Sequence, residues 1–289
     1  MRKTFYSILI AAVALAGCRS SKDLSGTPGR QQVKFGVCAS LATSEILKNS
    51  GYAFLEASVG RDLMPGQPVG AWNKKKAEFD TCRLPVLSCN GFLPGELKTT
   101  GPEAHQDTVL KYAEVAFRRA QAAGIPIIVF GSGGSRSIPE GFDRQVARGQ
   151  FVGLLKEMGP VARKYGVTIA IENLQSSECN FINTVGEALD IAREVADPNV
   201  GLLVDIFHMA RENENPDILI RAGKLVRHVH IAEKEKRTAP GMAGDDFRPY
   251  FACLKRAGYR GGISIEGQWK PENLEKALRV MSEQWKSSF

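Results

Sequence analysis

The chain has 289 residues, 43% hydrophobic and 24% charged, with a formal net charge of +7. Those are globular proportions, and they exclude a disordered, collagenous or disulfide-stapled miniature protein. The length suits one or two domains, and an eight-stranded α/β barrel runs near this size.

At the N-terminus, Arg2 and Lys3 precede an apolar stretch from Ile8 to Ala16. That stretch is too short to span a membrane and reads as the core of an export leader. It ends in Leu15-Ala16-Gly17-Cys18, which resembles the lipobox of bacterial lipoproteins. The resemblance implies a leader over residues 1–17, cleavage before Cys18 and a lipid on Cys18. Residues 19–32 are polar, with Ser, Gly and Pro, and with Cys18 they form an expected tether. The expectation is an exported protein anchored to a bacterial membrane and facing the periplasm. Losing Arg2 and Lys3 would bring the charge from +7 to +5. That is mild, and it argues against a nucleic-acid partner, which wants a concentrated basic face. Six cysteines are present, at 18, 38, 82, 89, 179 and 253. With Cys18 lipidated the remainder is odd, so a complete disulfide framework is not expected. Cys82 and Cys89 are the near pair, and no C-x-x-C suggests a zinc ribbon.

From Val33 onward, short apolar runs alternate with helical stretches, over a domain expected at 33–289. The runs are Val33–Cys38, Ala53–Ala57, Leu84–Ser88, Pro126–Phe130, Val167–Ile171, Val200–Val204, Val226–Ile231 and Gly262–Ile265. Several are apolar nearly throughout, as parallel strands covered by helices should be. Helix signals fall between them. Pro102 opens one, Asn183-Thr184 caps another, Asn215-Pro216 a third and Asp245 a fourth; Pro271 opens the last. Lys74-Lys75-Lys76 reads as a solvated helix start. Eight alternating units predict a single-domain (β/α)₈ TIM barrel. The alternative is a doubly wound open sheet, but no G-x-G-x-x-G follows the first strand.

In such a barrel, chemistry sits where the strands end. Four consecutive strands bring Glu172, Asp205, His230 and Glu266 to one mouth. An ionisable group directly after an apolar run is costly unless paired or metal-bound. Three carboxylates and an imidazole suit one divalent ion: Mn²⁺, Mg²⁺ or Co²⁺, with Zn²⁺ also accommodated. The competing reading is a ring of salt bridges. His228 and His230 face the same side at different depths, one a ligand and the other a support or a satisfied core histidine.

These residues resemble ketose 3-epimerases of the D-tagatose and D-psicose type, in the xylose-isomerase-like TIM-barrel superfamily. The resemblance rests on Glu172 and Glu178 followed by Asn183-Thr184, on Asp205-x-x-His208, on His228-x-His230-x-x-Glu233 and on Glu266. It covers strands five to eight, and before them only the strand rhythm agrees. It implies that Glu172, Asp205, His230 and Glu266 bind one divalent metal, and that Glu172 and Glu266 are the catalytic pair. It further implies that Glu178 and His208 contact substrate oxygens. The family places an Arg six residues after the metal histidine; here Lys236 stands there and Arg237 follows, so both are candidate substrate contacts.

The chemistry fits the residue types. A metal holding a carbonyl and a hydroxyl oxygen stabilises an enediolate, and carboxylates move the proton. Return to the same carbon is epimerisation, and return to its neighbour is isomerisation. Expulsion of a β-substituent would make a lyase or dehydratase of an oxidised sugar or glycoside. The expected partner is a small carbohydrate. Two other function classes compete with this one. A barrel-fold endonuclease needs several His ligands, and only His105, His208, His228 and His230 exist. A non-catalytic sugar-binding lipoprotein stays open, since fold does not fix function. Outside this set, Gly131 to Arg136 could present backbone N–H groups to a sugar. Cys38, Glu56, Phe207 and Trp269 stand near strand ends, with Glu56 expected to bond loop N–H groups.

Overall fold

A computed structural model describes Met1 and residues 33–288. The expected leader, Cys18 and tether lie outside the described residues, apart from Met1. Residues 33–288 form eight parallel strands closed into a barrel in sequence order. They are β1 Lys34–Cys38, β2 Phe54–Ser58, β3 Val86–Asn90, β4 Ile127–Phe130, β5 Thr168–Glu172, β6 Val200–Asp205, β7 Val226–Ile231 and β8 Gly262–Ile265. β1 pairs with both β2 and β8, which closes the ring.

The predicted runs match these strands within a residue or two. The largest departure is β3, which extends to Asn90. The helix starts are less regular. The helix expected from Pro102 begins only at Gln106, because a turn through Gly101, at φ +89°, precedes it. Thr184 caps Val185–Val195 as expected, accepting from the Glu187 N–H. The helix after Asn215-Pro216 begins at Ile218. Asp245 does not cap the helix Arg248–Arg256. Its carboxylate takes the Lys234 N–H instead, and Asp246 accepts from Arg248 N–H. The three lysines lie inside Val69–Thr81, where Lys75 pairs with Glu78 and Lys76 with Asp80. The cysteines at 38, 82, 89, 179 and 253 are free thiols.

Strand residues alternate between two environments. Outward side chains such as Phe130 pack with Phe92 and Phe151 beneath the helices, with ring centroids 5.2 and 5.1 Å apart. Inward side chains fill the barrel, and they divide by side. Val129, Ala170 and Leu203, on β4 to β6, form a separate apolar cluster. Across from them, β2, β3, β7 and β8 supply Glu56, Ser88, His228 and Ser264, all fully buried. The barrel interior therefore has an apolar side and a hydrogen-bonded side, and the site lies above both, at the C-terminal ends of β5 to β8.

Candidate metal and active site

The C-terminal ends of β5 to β8 converge. Glu172 ends β5, Asp205 ends β6, His230 lies one residue before the end of β7 and Glu266 follows β8. In the register Asp205 stands beside His230, and His230 beside Ser264. One donor atom from each of the four residues lies within 4.8 Å of the others. The four predicted ligands are thus one cluster.

Two of the acids meet the same nitrogen. His230 Nδ1 is 3.3 Å from Glu172 Oε1 and 3.2 Å from Glu266 Oε2. Burial and the neighbouring Glu266 charge push the Glu172 carboxyl up. Burial acts on Glu266 in the same direction, but His230 and Arg237 outweigh it and bring its pKa to about 2. Burial lowers His230, yet Glu56 and Glu266 raise it well above the ordinary imidazole value. Crowded acids held around one imidazole, each with an oxygen facing inward, are what a hard divalent cation requires. The donor set fits such an ion.

The backbone has adapted to this crowding. Gly131, directly after β4, passes so close to Glu172 that a β-carbon there would collide with the carboxylate. Asn173 fixes Asp205 through two bonds: its Nδ2 donates to the Asp205 carbonyl, and its Oδ1 accepts the Asp205 N–H. Asn90 Nδ2 donates to Glu266 Oε1 at 2.7 Å.

The predicted substrate contacts divide. His208 is fully buried, and its Nδ1 accepts the Gln175 N–H. The ring proton therefore sits on Nε2, 3.4 Å from Asp205 Oδ2 and 3.8 Å from Glu178 Oε2. Among the described residues Nε2 has no hydrogen-bond partner. A buried donor left free at a polar mouth is a ready contact for a substrate oxygen. Glu178 is exposed at the mouth and takes a bond from Gln175 Nε2. Arg237 reaches Glu266 Oε2 at 2.6 Å, Asp205 Oδ2 at 3.4 Å and Glu178 Oε1 at 3.3 Å, over the ring of Phe207. Lys236 is exposed and is tied to none of these acids. Both residues adopt left-handed φ, and a β-carbon at Gly267 would strike the Arg237 carbonyl.

Other readings change. Arg136 is fully buried, donating to the carbonyls of Phe130 and Ile182, so it braces the loop after β4. Glu56 lies within β2 and bonds two imidazoles rather than loop N–H groups. His228 is a satisfied core histidine on its Nε2 side. Asn90 lies outside the third apolar run, which ends at Ser88; β3 continues two residues further and ends on Asn90 itself.

A family model described as xylose isomerase-like TIM barrel matches residues 45–284. The chain belongs to this family. Among its relatives is an inosose isomerase from Halalkalibacterium halodurans, 24% identical over 255 residues, which cover 82% of this chain and 86% of that protein. An L-ribulose 3-epimerase from a Methylomonas species is 34% identical over 120 residues, 41% of this chain and 42% of the relative. A D-psicose 3-epimerase from Clostridium cellulolyticum H10, solved with D-tagatose, shares the fold with a TM-score of 0.72. It is 20% identical, and the superposition covers 89% of this chain and 96% of that one. The xylose isomerase-like match and these relatives put the chain among isomerases and epimerases.

Proposed function

We propose that this protein is a divalent-metal-dependent isomerase or epimerase of a keto sugar or related carbohydrate. The observation that carries this reading is the convergence of Glu172, Asp205, His230 and Glu266 on one point. The relatives named for inosose and L-ribulose chemistry support it.

Glu172, Asp205, His230 and Glu266 would hold the ion. When bound, it would supply Lewis-acid polarisation of the substrate carbonyl, which acidifies the neighbouring C–H. The remaining work belongs to side chains. Glu172 and Glu266 remove and return the proton, and their environments set them apart, one raised and one lowered. His208 Nε2–H donates to a substrate oxygen, Glu178 accepts from a hydroxyl, and Arg237 closes the mouth with positive charge. Return of the proton to the same carbon gives the epimer, and to the adjacent carbon the isomer. Loss of a β-substituent from an oxidised sugar would use the same carboxylates.

We also propose that residues 1–17 direct export and that Cys18 carries a lipid holding the barrel at a bacterial membrane, facing the periplasm. The support is the Arg2-Lys3 start and the Leu15-Ala16-Gly17-Cys18 sequence. Membrane fractionation of wild type and Cys18→Ser tests it; equal release of both into the soluble fraction refutes the anchor.

The test of function is elemental analysis of wild type and His230→Ala. About one divalent ion per wild-type chain, lost in a folded variant, is expected, followed by exchange of sugar C–H for deuterium in heavy water. No ion after loading with Mn²⁺, Co²⁺ or Zn²⁺ refutes the reading.

A further inference from the structure

Glu56 is a fully buried carboxylate that the proposed proton transfer does not use. It points into the barrel from β2, level with Cys38 on one side and Ser88 on the other. Its two oxygens have separate tasks. Oε1 lies 2.9 Å from His230 Nε2. Oε2 lies 2.7 Å from His228 Nε2 and accepts the Ser264 hydroxyl at 2.8 Å. Ser88 Oγ stands 3.1 Å from the same His228 nitrogen.

The tautomers follow from the orphaned atom. His228 Nδ1 is buried and has no hydrogen-bond partner among the described residues. A buried N–H without an acceptor is more costly than an unfilled lone pair, so the ring proton sits on Nε2, facing Glu56. His230 has no such orphaned atom, because both of its nitrogens face carboxylate oxygens. A cation among the acids needs a ring lone pair, and the nitrogen bonded to Glu56, Nε2, is the one that keeps its proton. His230 Nδ1 is the nitrogen turned toward Glu172 and Glu266.

We propose that Glu56 is a positioning residue. It grips the Nε2–H of His230, so that Nδ1 is presented to the Glu172–Asp205–Glu266 donors, while His228 and Ser264 hold Glu56 in turn. This rests on the metal reading above. A carboxylate behind a ligating imidazole fixes its tautomer and ring orientation and raises its basicity. Without Glu56 the ring could turn about its last torsion and carry Nδ1 away from the acids. Glu56, His228 and His230 have donor atoms close enough to suggest an ion among themselves. Their direct contacts of 2.7 and 2.9 Å argue otherwise, because they already bond one another and are closed from solvent.

The test compares full-length wild type with Glu56→Gln, titrated with Co²⁺ and followed by visible absorption, with circular dichroism as the check on folding. The amide turns an N–H₂ toward one of the two imidazole N–H groups. We expect Co²⁺ affinity to fall about 10- to 100-fold with the fold retained. Equal affinity in the two proteins overturns the proposal. Should Glu56→Gln fail to fold, nitrogen NMR of histidine-labelled wild type loaded with Zn²⁺ decides. Coordination at Nδ1 of His230 with a retained, hydrogen-bonded Nε2–H supports the role. Coordination at Nε2 overturns it and moves the ion to Glu56 and His228. Wild type that takes up no ion overturns the metal reading, and this inference with it, before any variant is made.

Discussion

Glu172 and Glu266 are chemically identical, and only their surroundings separate them. Glu172 is enclosed against Gly131 and faces Glu266, so its carboxyl is raised, while Glu266 takes the Arg237 guanidinium and an Asn90 donor. Glu172→Gln keeps shape and removes the base. We expect turnover to fall about 10²- to 10⁴-fold with near-native thermal stability. Deuterium incorporation into the sugar at the wild-type rate would unseat Glu172. His230 leads to a pH prediction. Its folded pKa is raised, so without the ion it keeps both protons to higher pH than a free imidazole. Cation binding at Nδ1 must then displace one proton. Affinity therefore rises with pH, by up to about tenfold per unit, until His230 is neutral in the ion-free protein, and it weakens toward acid. Calorimetric titration with Co²⁺ at pH 6, 7 and 8 checks this, and a pH-independent affinity would take His230 out of the donor set.

Elements decide which of these residues meet. Thr184 begins the helix Val185–Val195 by accepting the Glu187 N–H, and Glu214 takes the Val185 and Gly186 N–H groups. Because Glu214 shares that cap, Thr184→Ala should cost only about 1 kcal/mol in denaturant unfolding and leave turnover unchanged. A cost near zero would show that Glu214 caps alone. The strands were legible because parallel strands buried on both faces read as apolar runs, and the polar residues at or near the ends of the last four runs are the ones that cluster. What stayed hidden depends on contacts distant in sequence. Asp245 has the type and place of a helix cap, yet the Lys234 N–H, eleven residues back, is the donor it serves. Glu56 sits in a strand that reads as apolar, and its purpose appears only when His228 and His230, more than 170 residues on, arrive opposite. Lys236 and Arg237 differ by one place in the sequence, and the left-handed turn that delivers Arg237 depends on Gly267 after β8.

For the whole molecule, the barrel gathers charge of one sign at its mouth. Glu172, Asp205, Glu266 and Glu178 face one another, and among the described residues Arg237 and His230 supply the opposing charge. The unfolded chain has no such gathering, so an ion that recognises it binds the folded state alone. Linkage then sets the size of the effect. At a free concentration one hundred times its dissociation constant, a single ion adds about 2.7 kcal/mol to folding stability. For a domain of this size each kcal/mol moves the melting temperature by about 2–4 °C, which predicts a rise of roughly 5–10 °C. Full-length protein stripped with chelator should melt lower by that amount than protein reloaded with Mn²⁺. The His230→Ala variant should show little of the shift, because it lacks the nitrogen on which the acids converge. A shift of equal size in both would mean that the stabilising ion sits elsewhere, and no shift in wild type would mean that the acids are held by Arg237 and His230 alone.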